Sequence, residues 1–316
     1  MLFCSTPDLT PLELRASKSR QLTGVTVLLV LVSCFPTFPS SQTAPQAANS
    51  EEEPSQLFTR VIQNEKKSEL LLDEYARTKL VEKRRTASDP KPLSITRARL
   101  LPDGPAMATI PLTADGQLPS PDLYRSELEK IEKYLVWIQE DGPTQKEAYE
   151  RAERKRKDRF DLMEATHLAF RFAFEGKEVR GGRTLLRYSM VPNPGYHATS
   201  RNTVIFTRVR GTIWVDEQSS QLAKIDGSVI EDFSIALFLA KVYKGSHFMQ
   251  ERYEVAPGVW EPTFEQYDFD GRKYIVPFSI HERTFYSDYR HIGPPKEALA
   301  FIRAELSKLP ADPPSQ

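Results

Sequence analysis

Five histidines, His167, His197, His247, His281 and His291, are the side chains of this 316-residue chain best suited to metal ligation or proton transfer. None sits in an H-x-x-x-H or H-E-x-x-H arrangement that would bring two ligands onto one helical face, so no metal site is expected. Asp216, Asp226, Glu231 and Asp232 are near enough in sequence to be imagined as paired acid and base. All of them fall at or near predicted strand ends, where acidic turn residues are ordinary. No G-x-S-x-G elbow, phosphate-cradling glycine loop or G-x-G-x-x-G opens a helix, and the chain has only 14 glycines. Trp214 and Trp260 could be ligand platforms, but in strands with many other aromatics they read first as packing residues. The expectation is a protein with no catalytic residues and no cofactor. Its 43 basic and 43 acidic side chains cancel, so no long-range field favours nucleic acid.

The elements that carry these residues are mostly strands. Leu168, Phe170, Phe172 and Phe174 alternate with His167, Ala169, Arg171 and Ala173, which predicts a strand with one apolar face. Gly176, Gly181 and Gly182 frame a hairpin to Thr184–Met190. From Thr203 an antiparallel meander is expected: Thr203–Asp216, Gln221–Glu231, Phe233–Tyr243, His247–Ala256, Val259–Phe269 and Arg272–Tyr286. Its turns fall at Glu217–Ser220, Lys244–Ser246, Pro257-Gly258 and Asp270-Gly271. The stretch Phe233–Tyr243 reads equally as a strand or as a buried helical turn or two. In the last strand Tyr274, Val276, Phe278 and Ile280 share one face, with Lys273, Ser279, His281 and Arg283 on the outer one. Ahead of the meander, Leu57–Tyr75 reads as a helix running into a strand near Tyr75–Arg84, followed by strands at Leu93–Leu101 and Ala106–Leu112. A helical insertion spans 120–165: Leu128, Ile131, Leu135 and Ile138 make one amphipathic helix. The second is charged, with Glu147/Arg151, Glu150/Arg154 and Glu153/Lys157 at four-residue spacing. A closing helix is expected over Pro295–Leu309.

The N-terminal part has a different character. Arg15, Lys18 and Arg20 precede an apolar run, Val25–Val32, too short to span a bilayer, so residues 1–41 read as a signal peptide and the protein as exported. Leu31-Val32-Ser33-Cys34 resembles a lipobox, which makes Cys34 a lipidation candidate; ordinary cleavage between Ser40 and Ala48 is the alternative. Cys4 and Cys34 both lie in this part, leaving the folded region without disulfides. Residues 42–56 read as a disordered linker, 57–309 as one domain and 310–316 as a tail.

Gly211-Thr212-Ile213-Trp214-Val215-Asp216, Leu222-Ala223-Lys224-Ile225 and Pro257-Gly258-Val259-Trp260-Glu261-Pro262, with Pro194-Gly195-Tyr196 upstream, resemble the phrasing of exported bacterial proteins of the LolA-like superfamily. That resemblance covers roughly Leu168–Tyr289. It implies a mainly β, α+β fold: a curved antiparallel incomplete barrel, with the 120–165 insertion as part of a lid. It also implies a periplasmic or outer-membrane-anchored protein that holds a lipid or a lipoprotein acyl chain against its apolar face, as carrier or sensor. The residues expected to line that hollow are Leu168, Phe170, Phe172, Phe174, Trp214, Tyr274, Val276, Phe278 and Ile280. Burying apolar ligand surface yields roughly 25 cal/mol per Å², enough for one acyl chain to bind usefully. The alternative is that the same side chains fill a closed core and the protein is a non-catalytic scaffold for an envelope protein partner.

Overall fold

One open antiparallel sheet of twelve strands and four helices make up the described residues of the computed structural model, 54–235 and 240–309, without the side chains of residues 201, 202 and 235. In chain order these are α1 (Pro54–Leu72), β1 (Tyr75–Arg84), β2 (Ser94–Pro102), β3 (Met107–Ala114), α2 (Pro121–Trp137) and α3 (Pro143–Ala169). There follow β4 (Phe170–Arg180), β5 (Arg183–Pro192), a 3-10 helix (Arg201–Thr207), β6 (Val209–Asp216), β7 (Leu222–Val229) and the short pair β8 (Phe233–Ile235) and β9 (Ala240–Val242). The chain then runs through β10 (His247–Ala256), β11 (Val259–Lys273), β12 (Val276–His291) and α4 (Pro295–Leu306). The α+β class and the open antiparallel sheet agree with the sequence reading. The segment read as a signal peptide, with Cys4 and Cys34, most of the expected linker and the expected tail lie outside the described residues, as do positions 236–239. Among the described residues no helix is long and apolar enough to cross a membrane.

Strand order is β3-β2-β1-β12-β11-β10-β7-β6-β5-β4, with β9 pairing β8 and the far end of β11. Neighbours in space are neighbours in sequence, apart from two joins, and β3 and β4, consecutive in the chain, stand at opposite edges. The β8–β9 hairpin is left out of the path between β7 and β10. β1 pairs with β12, Tyr75 opposite His291 and Arg84 opposite His281, which sews the three N-terminal strands onto the last one.

Local chemistry explains most boundaries. Ser120 caps α2 by accepting from the Leu123 amide at 3.2 Å, a bond typically worth about 1 kcal/mol. Leu128, Ile131, Leu135 and Ile138 are all buried, as their spacing predicts. On α3, Arg151–Glu147 and Arg154–Glu150 pair across one turn as expected. Glu153 instead takes Arg156, and Lys157 reaches Asp161. Gly181 and Gly182 both have positive φ and close the β4–β5 hairpin.

Four expectations are corrected. Leu168 is not in a strand: α3 continues to Ala169 and Leu168 lies exposed on its last turn. Residues 201–207 form the 3-10 helix rather than the start of a strand, because Ser200 and Thr203 close a reciprocal capping box there. In place of one strand over Phe233–Tyr243 there are two three-residue strands, Phe233–Ile235 and Ala240–Val242. Asp270-Gly271 is not a turn but the interior of β11. Gly271 serves close approach instead, since a Cβ there would meet the Lys241 carbonyl at 2.2 Å and the Phe278 ring at 2.7 Å. The β11–β12 turn falls at Tyr274-Ile275, with Tyr274 in the left-handed region.

The two faces of the sheet are covered at different ends. On one face Leu57, Phe58 and Val61 of α1 pack on Tyr188, Ile213, Val215 and Leu222 of β5–β7. On the other, Leu128, Ile131 and Leu135 of α2 and Ala298 and Ile302 of α4 pack on Ala76, Leu101 and Ile110 of β1–β3. Period-two alternation across the paired strands places these contacts on opposite sides of the sheet. The 120–165 insertion is thus divided, with α2 beside α4 and α3 beside α1.

Candidate functional site

The feature with most unspent chemistry is the layer between α1 and the sheet. Leu57, Phe58, Val61 and Ile62 form a helical stripe facing β5–β7, and the Phe58 ring stacks nearly parallel, at 6°, on Phe172, with Tyr188 edge-on to both. The helix is fastened by polar contacts at its sides. Asn64 donates to the Ser219 and Ser220 carbonyls at 3.1 and 3.0 Å, and Arg60 donates to the Ser220 hydroxyl at 3.3 Å. Lys66–Glu164, Glu69–Arg159 and Asp73–Arg156 form a ladder of ion pairs to α3.

Where that stripe continues one turn further, it becomes charged. Glu65 is buried and pairs with Arg252 of β10 at 3.1 Å; Arg252 Nε donates to Gln250, whose amide donates to Glu265, which also accepts from the Tyr286 hydroxyl. The Tyr289 hydroxyl donates to the Pro262 carbonyl. Glu261, 1% exposed, lies in the same group, yet neither of its carboxylate oxygens accepts a hydrogen bond among the described residues. Burial, opposed by Arg252 and Arg77 and reinforced by Glu65 and Glu69, pushes the Glu261 carboxyl up to about 8. Burial also raises Glu65, against the pull of Arg252, and drives Tyr286 and Tyr289 upward. On Arg252 burial works against the charge, but Glu65, Glu261 and Glu69 outweigh it and raise its pKa.

The opposite face carries a polar row. His247 bonds Asp226 at 2.9 Å, and the hydrogen bond from His247 is the main reason Asp226 is held low. His281 bonds Asp268 at 3.1 Å, and Arg283 pairs with the same carboxylate at 3.0 Å. Burial raises Asp268, but the bonds from Arg283, Gln266 and His281 win and lower it. His281 is therefore buried and paired, which corrects its expected place on an outer, wet register. The other acidic candidates also have partners. Asp216 accepts from the Ser219 amide and hydroxyl, Glu231 pairs with Arg208, and Asp232 is held low by Lys241 and the Lys244 amide. Among the described residues no group of three His, Cys, Asp or Glu side chains is placed to hold a metal.

No family model matches the chain, and no curated protein matches it. Among solved structures, MucB in complex with MucA(peri) aligns over 74% of this chain and 94% of that one, at 8% identity and a TM-score of 0.21. At that score the likeness carries no argument about fold or function.

The nine residues expected to line one hollow are not brought together. Phe172 lies under α1, and Phe170 is buried against Phe206 of the 3-10 helix. Phe174 is half exposed, edge-on to Tyr188. Trp214 points to the opposite face, where it packs with Leu185, Ala223 and Trp260 beneath the Lys224 ammonium. Phe278 and Ile280 are half-buried opposite Gly271 and Phe269, while Tyr274 and Val276 stand in solvent at the hairpin tip and Leu168 on the helix end. Period two assigns faces within a strand but does not say which face of a twisted sheet a helix covers, or where a strand ends. Sequence reading passed over Glu65 and Glu261. Glu65 was within reach, since it continues the 58, 61, 62 stripe by one turn. Glu261 carried no such signal beyond its place between Trp260 and Pro262.

Proposed function

We propose that the chain is an exported, non-catalytic protein-interaction domain of the cell envelope, with its apolar sheet face filled by its own α1. The observation that carries this reading is the stack of Phe58 on Phe172. Where an acyl chain would lie against β4–β7, α1 already lies, with Leu57 and Val61 filling the space around it. The ion-pair ladder and the Asn64 bonds fasten α1 there, so clearing the face for a ligand breaks several contacts at once. The non-catalytic part is supported by the structural partners of Asp216, Asp226, Glu231 and Asp232. Export and an envelope location rest on the pattern of residues 15–35.

The surface best suited to a protein partner is the outer edge of β4. Of the two sheet edges, β3 carries Pro111, which blunts strand pairing. β4 has no proline, pairs among the described residues only with β5, and presents Phe174 and Val179, 45% and 76% exposed. A partner strand added there gains backbone hydrogen bonds together with apolar contact.

Two measurements test this. A fluorescent fatty acid titrated into delipidated protein is expected to give no saturable binding; saturable binding, with acyl species in a solvent extract of the native protein, would return the reading to an acyl-chain carrier. A photocrosslinker at position 179 is expected to capture one discrete envelope protein, and the double substitution Phe174→Lys, Val179→Lys to abolish that capture with the circular dichroism unchanged. Capture that survives the double substitution removes β4 as the docking edge.

A further inference from the structure

The hairpin formed by β11 and β12 is the longest in the sheet, and its tip is built against the usual rules. β1 stops pairing with β12 at His281, so residues 276–280 of β12 extend past β1 with no strand on that side among the described residues. At the tip Tyr274, Ile275 and Val276 are 57%, 88% and 62% exposed. This is the longest run of consecutive exposed large hydrophobics among the described residues. Tyr274 also has a φ of 57°, which bulky side chains rarely adopt, where asparagine and glycine make the undemanding two-residue turns. Neither the sheet nor the turn needs a tyrosine, an isoleucine and a valine at this place.

Charge narrows what could cover them. From Gly271 to His281 there is no acidic residue, and Arg272 and Lys273, both exposed, stand directly behind the apex. The Arg272 guanidinium donates to the Tyr274 carbonyl at 3.3 Å, which keeps it beside the tip. Strands rise about 3.4 Å per residue, so the two cations lie roughly 3–7 Å behind the apolar apex. That is the depth at which basic side chains meet phosphates when aromatic and aliphatic side chains enter the acyl boundary of a bilayer.

We propose that the β11–β12 tip is a membrane-contact element: Tyr274, Ile275 and Val276 enter the interface of a bilayer while Arg272 and Lys273 pair with anionic lipid headgroups. A tip of this size binds reversibly, because a small apolar insertion needs the electrostatic contribution to hold it. The inference is independent of the β4 edge and of whether the apolar face is filled.

The test uses the full chain and vesicles of phosphatidylcholine with or without about one-third phosphatidylglycerol. Flotation is expected with the anionic vesicles, weakening as salt is raised. Ile275→Asp is expected to reduce it about tenfold or more, and Arg272→Glu with Lys273→Glu to remove the preference for phosphatidylglycerol. In Ile275→Trp, the extra emission relative to the parent is expected to shift blue on vesicle addition and to be quenched by brominated acyl chains. Position 275 is so exposed that these variants should keep the parent's thermal melt, which is recorded alongside. Three outcomes overturn the proposal. One is flotation unchanged by Ile275→Asp, which would assign membrane contact to another part of the chain. Another is no quenching of the added tryptophan. The last is an oligomer that Ile275→Asp dissociates while vesicle binding stays the same, which would make the tip a contact between copies.

Discussion

Glu261 holds the most exceptional single position among the described residues. A carboxyl taken out of water with no donor to receive its charge keeps its proton, and the folded state therefore binds that proton more tightly than the unfolded chain does. The sign follows directly. Below the unfolded value of 4.5 both states are protonated and the group is neutral in effect. Between 4.5 and about 8 only the unfolded chain releases the proton, so stability falls as pH rises; above about 8 the loss is complete. Each unit of pH in that window is worth at most about 1.4 kcal/mol. Glu261→Gln keeps the shape and removes the titration. Unfolding free energies from urea titrations between pH 5 and pH 8 are expected to fall for the parent, by about 2–4 kcal/mol more than for the variant. Equal slopes for the two proteins would mean that Glu261 is ionised in the fold and has found a donor. Arg252 and Arg77 are the cations near it, and Glu65, Glu69 and Tyr289 the acids, so the window belongs to a group of residues centred on this one.

At the scale of elements, α1 contributes more than its length suggests. Its stripe from Leu57 to Ser68 is buried, and Phe58 touches two aromatic rings of different strands. Phe58→Ala is expected to cost about 3–5 kcal/mol, the usual range for truncating a buried phenylalanine, as read by urea denaturation. Hydrogen exchange should quicken in α1, β5 and β6 and change little in α2 and α4, which pack on the other face. The surface pairs of α3 behave differently. Arg151–Glu147 and Arg154–Glu150 are open to water on both sides, and exposed pairs of this kind are worth a few tenths of a kcal/mol. What α3 adds to the fold comes from Leu162, Met163 and Ala169 and from the ladder to α1.

At the scale of the whole molecule, the pairing of β1 with β12 sets the order of assembly. Tyr75 and His291 are about 200 residues apart in sequence, so closing this ladder costs loop entropy before any of its hydrogen bonds form. The hairpins β4–β5, β6–β7, β10–β11 and β11–β12 face no such delay. In pulsed hydrogen exchange during refolding, the amides that bond β1 to β12 are expected to gain protection after those of β4–β7 and β10–β11. Simultaneous protection would mean that the N-terminal strands dock before the meander is complete. Two apolar layers on opposite faces of the sheet suit this sequence of events.

Amino-acid order alone determined most of the local architecture. The first strand, the capped and amphipathic α2, the Gly181-Gly182 hairpin and strand β10 from His247 to Ala256 all follow from spacing, turn residues and capping, which act over a few neighbours. The antiparallel character of the sheet was legible for the same reason, whereas its openness was implied only by the family resemblance. Contacts between distant segments decided the rest. Gly271 reads as a turn until the Lys241 carbonyl and the Phe278 ring are seen against it, and His281 reads as a surface residue until Asp268 and Arg283 close around it. Alternation along a strand names two faces, but which face a helix covers depends on free energy summed over the whole sheet. That sum brought α1 onto Phe172, buried Glu261, and left Tyr274, Ile275 and Val276 in the water.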